Sequence, residues 1–316
     1  MIVICTPCRA SKEKDVATRV DLLKGLRDFD HIERYRHLCV STGLEIVGPL
    51  DNFVTVSKAD DTIKNLEAAR KEISLQRIVV HAPVTRDNYE AAPTNLSRPE
   101  SVEILNEVFA LASRIGASLV NVHAETLMSH AEMEGLTDRD RLQLLSEVAG
   151  NLSRVKKQGV GLAIENMPVP LMGDTFFSSN DMVYDPLFAD PLEIRGFVKK
   201  NGFLMTFDTC HWGTLSAQGN LVNVYKQVQD VTPHIHMSDV WGIWREGTCR
   251  FREGLIPGEG NIGEENFIEL VRYINASSQE ISATVEVIDS DFMNPTESRS
   301  ALIAIHAWVT RGPGMI

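Results

Sequence analysis

Eight short β-rich runs, each followed by a charged stretch of helical periodicity, recur along these 316 residues, and that alternation constrains the fold more than any other feature. The runs lie at 2–6, 44–49, 77–83, 119–125, 161–168, 203–211, 233–239 and 283–289. Helical patterns separate them at 13–38, 59–75, 98–115, 137–158, 189–200, 219–230 and 263–278, and a last one covers 295–310. Strands that each return through a helix must pair in parallel, because a parallel neighbour needs a long crossover. Eight such units without a linker predict one α/β domain over 1–316, a closed (β/α)8 TIM barrel. The rival is an open doubly wound sheet, whose phosphate fingerprint is missing: the first βα turn, Thr6-Pro7-Cys8-Arg9-Ala10-Ser11, is not Gly-rich.

Two long connections, 169–189 and 240–262, follow strands and would overhang the barrel face where βα loops build active sites. The second carries Trp241, Trp244, Arg245, Arg250 and Arg252, residues suited to stacking on a ligand and pairing with an anionic group. With Trp212, the residues Trp241, Trp244 and Arg245 are the predicted substrate contacts.

Partners are narrowed by charge and hydropathy. Thirty-one Lys and Arg against 43 Asp and Glu give −12, which argues against a nucleic-acid partner held by phosphate neutralisation. The apolar run 1–5 is too short for a signal-peptide core, and no later window is long enough to span a bilayer. A cytoplasmic protein acting on a small molecule is expected, with a homo-oligomer left open. Five scattered Cys suit reduced thiols, and Cys5-x-x-Cys8, lacking a second pair, reads as buried thiols.

A strand buried on both faces should be almost continuously aliphatic, yet six runs contain or end in an ionisable residue. These are His81, His123, Glu165, Asp208, His236 and Glu286, each preceded by an apolar residue and separated by 42, 42, 43, 28 and 50 positions. Period-two alternation turns all six inward, and each step is one βα unit, so the side chains should converge at one barrel end. No inner-face position is expected to supply Lys or Arg. Three carboxylates crowded with imidazoles then need a cation, and mixed carboxylate–imidazole sets suit Mn²⁺, Zn²⁺, Co²⁺ or Fe²⁺, here one or two ions. His211, three residues beyond Asp208, can reach metal or substrate. The Gly258-Glu259-Gly260-Asn261-Ile262-Gly263 turn offers backbone N–H groups to an anion, or simply closes a tight turn.

Taken in order, His-Ala-Pro at 81–83, Asn-Val-His at 121–123, Glu-Asn-Met-Pro at 165–168, Asp-Thr-Cys-His at 208–211, His-Met-Ser-Asp at 236–239 and Gly-Glu-Gly-Asn-Ile-Gly at 258–263 resemble the xylose isomerase-like TIM-barrel superfamily. That group contains sugar isomerases and epimerases and the endonuclease IV family of abasic-site nucleases. For the epimerase branch the resemblance implies one metal on Glu165, Asp208, His236 and Glu286, with His211 touching substrate. For the endonuclease branch it implies a further metal on His81, His123 and Glu165, and a third on His211 with an Asp-x-His pair. The corresponding stretch here, Arg250-Phe251-Arg252-Glu253-Gly254-Leu255, has no such pair. The expected activity is proton transfer through an enediolate of a small polyhydroxylated carbonyl compound, Glu165 and Glu286 acting as base and acid. A metal-dependent phosphodiesterase is the second reading, and a non-catalytic metal or ligand sensor the third.

Overall fold

A computed structural model describes residues 1–28, 32–34, 40–84, 96–123, 128–129, 135–168, 182–183, 188–216, 219–242 and 252–310. Eight parallel strands close on themselves: β1 (Ile2–Cys8), β2 (Ser41–Ile46), β3 (Leu75–His81), β4 (Leu119–His123), β5 (Gly161–Glu165), β6 (Leu204–Asp208), β7 (His234–Met237) and β8 (Ile281–Val285). Each strand pairs with its sequence neighbours, and β1 completes the ring by pairing with both β2 and β8. The long helices are α1 (Glu13–Gly25), α2 (Val56–Glu72), α3 (Glu100–Arg114), α4 (Asp138–Arg154), α5 (Pro191–Asn201), α6 (Leu221–Val228), α7 (Glu264–Ala276) and α8 (Thr296–Thr310). This is the expected TIM barrel. Among the described residues no helix is long and apolar enough to cross a membrane.

The strand residues divide by parity. Outward positions such as Val80, Val120, Val122, Ile164, Phe207 and Ile235 are buried in the large apolar cluster between strands and helices. Each such side chain contributes about 1.5–3 kcal/mol by leaving water. Inward, a small separate cluster of Val79, Leu119 and Ala163 packs the β3–β5 side of the lower barrel. Two residues further along the same strands the inward positions are His81, Asn121 and Glu165, so on the β3–β5 side the site sits on an apolar floor.

The strands differ from their sequence boundaries for local reasons. β2 begins at Ser41, three residues early, because Gly43 lies where a Cβ would come 2.4 Å from the Arg77 carbonyl oxygen, and such a glycine interrupts the apolar pattern. β6 stops at Asp208, whose Oδ1 accepts the His211 N–H at 2.7 Å and opens a short helix, Thr209–Ser216. α1 stops at Gly25, short of 38, with 29–31 and 35–39 lying outside the described residues.

One expectation about charge fails. Arg77 shares the inward parity of Val79 and His81, so the inner face does carry a cation. It pairs with Glu280 below the strands, four residues and roughly 13 Å of strand from His81. Cys5 and Cys8 are both free and buried, on opposite faces of β1, and burial pushes both thiols up, away from thiolate chemistry.

Candidate metal centre

The six strand-end residues meet at the C-terminal end of the barrel. Nδ1 of His236 is the centre of the arrangement: Glu286 Oε2 lies 2.7 Å away, Glu165 Oε1 3.1 Å and Asp208 Oδ2 3.5 Å. One imidazole nitrogen can satisfy at most one of these carboxylates with a proton. The ligand atoms of Glu165, Asp208, His236 and Glu286 all fall within 4.8 Å of one another, the spacing of a shared coordination sphere. Beside them, the Nε2 atoms of His81 and His123 are 3.1 Å apart and lie 3.5 and 3.4 Å from Glu165 Oε2, forming a second set that shares Glu165.

The rings are held by their other nitrogens. His81 Nδ1 donates to the Ala82 carbonyl at 2.8 Å, and His211 Nδ1 donates to the Asn166 carbonyl at 2.8 Å. A carbonyl can only accept, so Nδ1 of each ring carries a proton; His81 thereby turns Nε2 toward Glu165, whereas in His211 it is the Nδ1 side that faces Glu165 and Asp208, at 3.3 and 3.7 Å. Anchoring one imidazole nitrogen to leave the other as a donor atom is how metal-ligating histidines are oriented. Glu165 is further fixed by the Asn121 amide, and Asn166 clamps the Asp208 backbone through both its amide atoms, at 2.8 and 2.9 Å.

Electrostatics agree with the geometry. Burial opposes charge on Glu165, yet His236 and His123 outweigh it and hold the carboxyl well below the usual range. Burial pushes Asp208 up, with His211 only partly offsetting it. For His211 burial favours the neutral ring, but Asp208 and Glu165 prevail and raise it to about 10. Among the described residues every ion-pair partner of Glu165, Asp208 and Glu286 is a histidine, and no Lys or Arg neutralises them. A divalent cation fits this donor set: carboxylate oxygens and imidazole nitrogens converge, and in the absence of an ion only protons on the histidines offset the carboxylates.

Other predicted contacts divide. Trp212 is buried in the apolar core, 4% exposed and packed beside Gly219, so its ring is not offered to a ligand. Trp241 is 61% exposed at the end of an antiparallel pair, Asp239–Trp241 with Arg252–Leu255. Trp244, Arg245 and Arg250 lie outside the described residues. The Gly-rich turn holds an anion from its own chain: the Asp239 carboxylate accepts the N–H groups of Val240, Gly258, Gly260, Ile262 and Gly263 at 2.8–3.2 Å. The turn's donors are thus engaged, and the tight-turn expectation is the one realised.

Three site residues escape the sequence reading. Glu45 on β2 sits on the far side of His236, and His234 lies beneath it, both at most 1% exposed. Both are inward-parity ionisable residues within expected strand runs, so the signal exists. Glu253 is carried over the site by strand Arg252–Leu255, which docks where Gly254 O accepts the Ile288 N–H at 2.9 Å. Burial raises its carboxyl, with Asp208 and Glu286 adding to the effect. It occupies the stretch where the endonuclease branch would carry Asp-x-His.

Comparison with known proteins agrees with this architecture. No curated protein matches the chain in sequence. Solved structures similar to it include a D-tagatose 3-epimerase-like protein, with a TM-score of 0.58 at 20% identity over 97% of this chain and 98% of that one. The 3-keto-D-glucoside 4-epimerase YcjR from E. coli gives 0.59 at 15% identity, covering 97% and 100%. Endonuclease IV from Thermus thermophilus gives 0.58 at 16%, covering 97% and 98%. At such identities the likeness establishes the fold and leaves the reaction open. The family model for the xylose isomerase-like TIM barrel matches residues 36–306, nearly the whole barrel, and the chain therefore belongs to that family.

Proposed function

We propose that the chain is a divalent-metal-dependent isomerase or epimerase that moves a proton at the carbon beside the carbonyl of a sugar or related polyhydroxylated compound. One observation carries the reading. Glu165 from β5 and Glu286 from beyond β8 approach the same imidazole nitrogen, yet the Glu286 side chain is 39% exposed and that of Glu165 fully buried. Two carboxylates of such different access suit proton delivery on two faces of a bound substrate.

Glu165, Asp208, His236 and Glu286 would hold the ion, Mn²⁺, Zn²⁺ or Co²⁺, which when bound supplies Lewis-acid polarisation of an oxygen. Glu286, at the open side, takes or returns the proton in reach of solvent. Glu165, kept ionised by its histidine neighbours, serves the enclosed side. His211 presents Nε2 to a substrate hydroxyl because Nδ1 is tied to Asn166. Trp241 supplies an exposed apolar face against which a sugar ring can pack. The buried free thiols Cys5, Cys8 and Cys210 suit a reducing compartment, and a cytoplasmic location is part of the reading.

The test is incubation of the metal-loaded enzyme with ketoses and aldoses in D₂O, followed by NMR. The expected result is deuterium at the carbon beside the carbonyl, lost in Glu286→Gln. Isotope wash-in that persists unchanged in Glu286→Gln contradicts these roles.

A second reading, phosphodiester hydrolysis of the endonuclease IV type, is favoured by the second ligand set of His81, His123 and Glu165. Robust incision of a duplex carrying an abasic site, with Zn²⁺ present and no isotope wash-in, would replace the first reading with this one.

A further inference from the structure

Beneath the ligand set a fourth carboxylate faces His236 from the other side of the ring. Glu45 Oε1 and Oε2 both lie 3.1 Å from His236 Nε2, and Oε2 is also 3.5 Å from Nε2 of His234. His234 is braced in turn by Ser282, whose Oγ lies 2.7 Å from its Nδ1. Glu45 is 1% exposed and His234 and His236 are fully buried, so the group is closed to substrate.

Burying a carboxylate costs several kcal/mol unless it is compensated, and a side chain needed only for packing at this position would be apolar. What Glu45 does differs from what the other anchors do. His81 and His211 are anchored by neutral backbone carbonyls. His236 alone among these rings has three carboxylates on its inner nitrogen, at 2.7, 3.1 and 3.5 Å. Once an ion has displaced one proton the ring carries a single one, and a neutral carbonyl on the outer nitrogen would hold it less firmly than those carboxylates do. The proton would then sit on Nδ1, pointing into the coordination sphere and blocking it. A charged acceptor on Nε2 competes with them on equal terms.

Resting on the metal reading above, we propose that Glu45 is the positioning residue that makes His236 a ligand. It accepts the Nε2–H, so that Nδ1 keeps its lone pair toward Glu165, Asp208 and Glu286. Glu45 would thereby fix the ring's orientation and raise its basicity toward a bound ion, as such outer carboxylates do for metal-ligating histidines.

The test compares the full chain with Glu45→Gln, Glu45→Ala and Glu45→Asp. Zn²⁺ affinity is read by competition with a chromophoric chelator, and the His236 tautomer by ¹⁵N NMR of histidine-labelled protein. Wild type should bind Zn²⁺ stoichiometrically with Nε2 protonated. Glu45→Gln and Glu45→Ala should bind about 10–100-fold more weakly while keeping stoichiometry, a typical cost of losing such a partner. Glu45→Asp should recover part of the loss. Circular dichroism and thermal unfolding of the metal-stripped proteins separate misfolding from weakened ligation. Wild-type affinity and tautomer in folded Glu45→Gln or Glu45→Ala overturn the role of Glu45 and leave the metal site standing. A wild type that takes up no Zn²⁺ overturns the metal reading itself, and this proposal with it.

Discussion

Glu165 on β5 and His236 on β7 face each other at 3.1 Å, although 71 residues separate them in the chain. Through its two oxygens Glu165 also lies 3.3–3.5 Å from His81, His123 and His211, and it is the member common to both ligand sets. The barrel makes this possible by bringing strand ends that are dozens of residues apart onto one rim.

Removing His123 should empty one ligand set and spare the other. In His123→Ala the ring that stands 3.1 Å from His81 is lost, whereas Asp208, His236 and Glu286 keep their geometry. If wild type binds two Zn²⁺, equilibrium dialysis of the variant should give one fewer ion per chain. Unchanged two-ion binding would show that His123 is not a ligand.

The Asp239 carboxylate is an internal anion for five backbone N–H groups, and Gly260 is packed so closely that a Cβ would come 2.4 Å from the Val240 carbonyl oxygen. Asp239→Ala leaves several of those donors buried and unpaired. A loss of about 2–4 kcal/mol in urea unfolding is expected, since leaving such groups unsatisfied costs about 1–3 kcal/mol each and the effects are not fully additive. A loss under about 0.5 kcal/mol would mean that the turn holds without its anion.

Arg19 ties α1 to the segment beyond β8. Its guanidinium is fully buried, 3.3 Å from Asp289 and 3.2 Å from Ser298 Oγ, and it stacks on Phe292 at 4.0 Å while Arg9 covers that ring at 3.9 Å. Arg19→Ala strands the buried Asp289 carboxylate, and about 3–5 kcal/mol of stability should go with it. Arg19→Ala combined with Asp289→Ala should recover part of the loss, measured as a double-mutant cycle in denaturant.

On the surface, Arg195 and Lys199 hydrogen-bond Asp230 and hold its carboxyl well below the usual range. A carboxyl with a depressed folded-state pKa stabilises the fold above its unfolded value, about 3.9, and loses that contribution as pH falls below it. Asp230→Asn should therefore destabilise at neutral pH and match wild type near pH 2. The effect should stay within about 1 kcal/mol, because exposed pairs are screened. A difference that grows on acidification would contradict the sign.

Much of the site is legible in the sequence because burial makes polar residues conspicuous. His81, His123, Glu165 and Asp208 end their strands and His236 lies one residue inside the end of β7, all at inward parity, and no aliphatic strand needs them there. Glu45 and His234 obey the same rule but escape notice because each sits inside its run, below the rim that the spacing argument selects. Glu253 is hidden for a different reason: its strand hydrogen-bonds to Trp241 and Asp239 across a long loop, and non-local pairing leaves no periodic trace. Trp212 misleads because an aromatic beside a polar motif reads the same whether it faces a ligand or the core, and packing under Gly219 decides it.

Elemental analysis of protein purified without chelator, beside the variants Asp208→Asn and Glu165→Gln, tests most directly whether these side chains converge to bind a cation. The account predicts at least one tightly held transition-metal ion per wild-type chain and its loss in both variants, with the fold retained by circular dichroism. A wild type that stays metal-free after equilibration with Mn²⁺, Co²⁺ and Zn²⁺, or variants that keep the full complement, would contradict it.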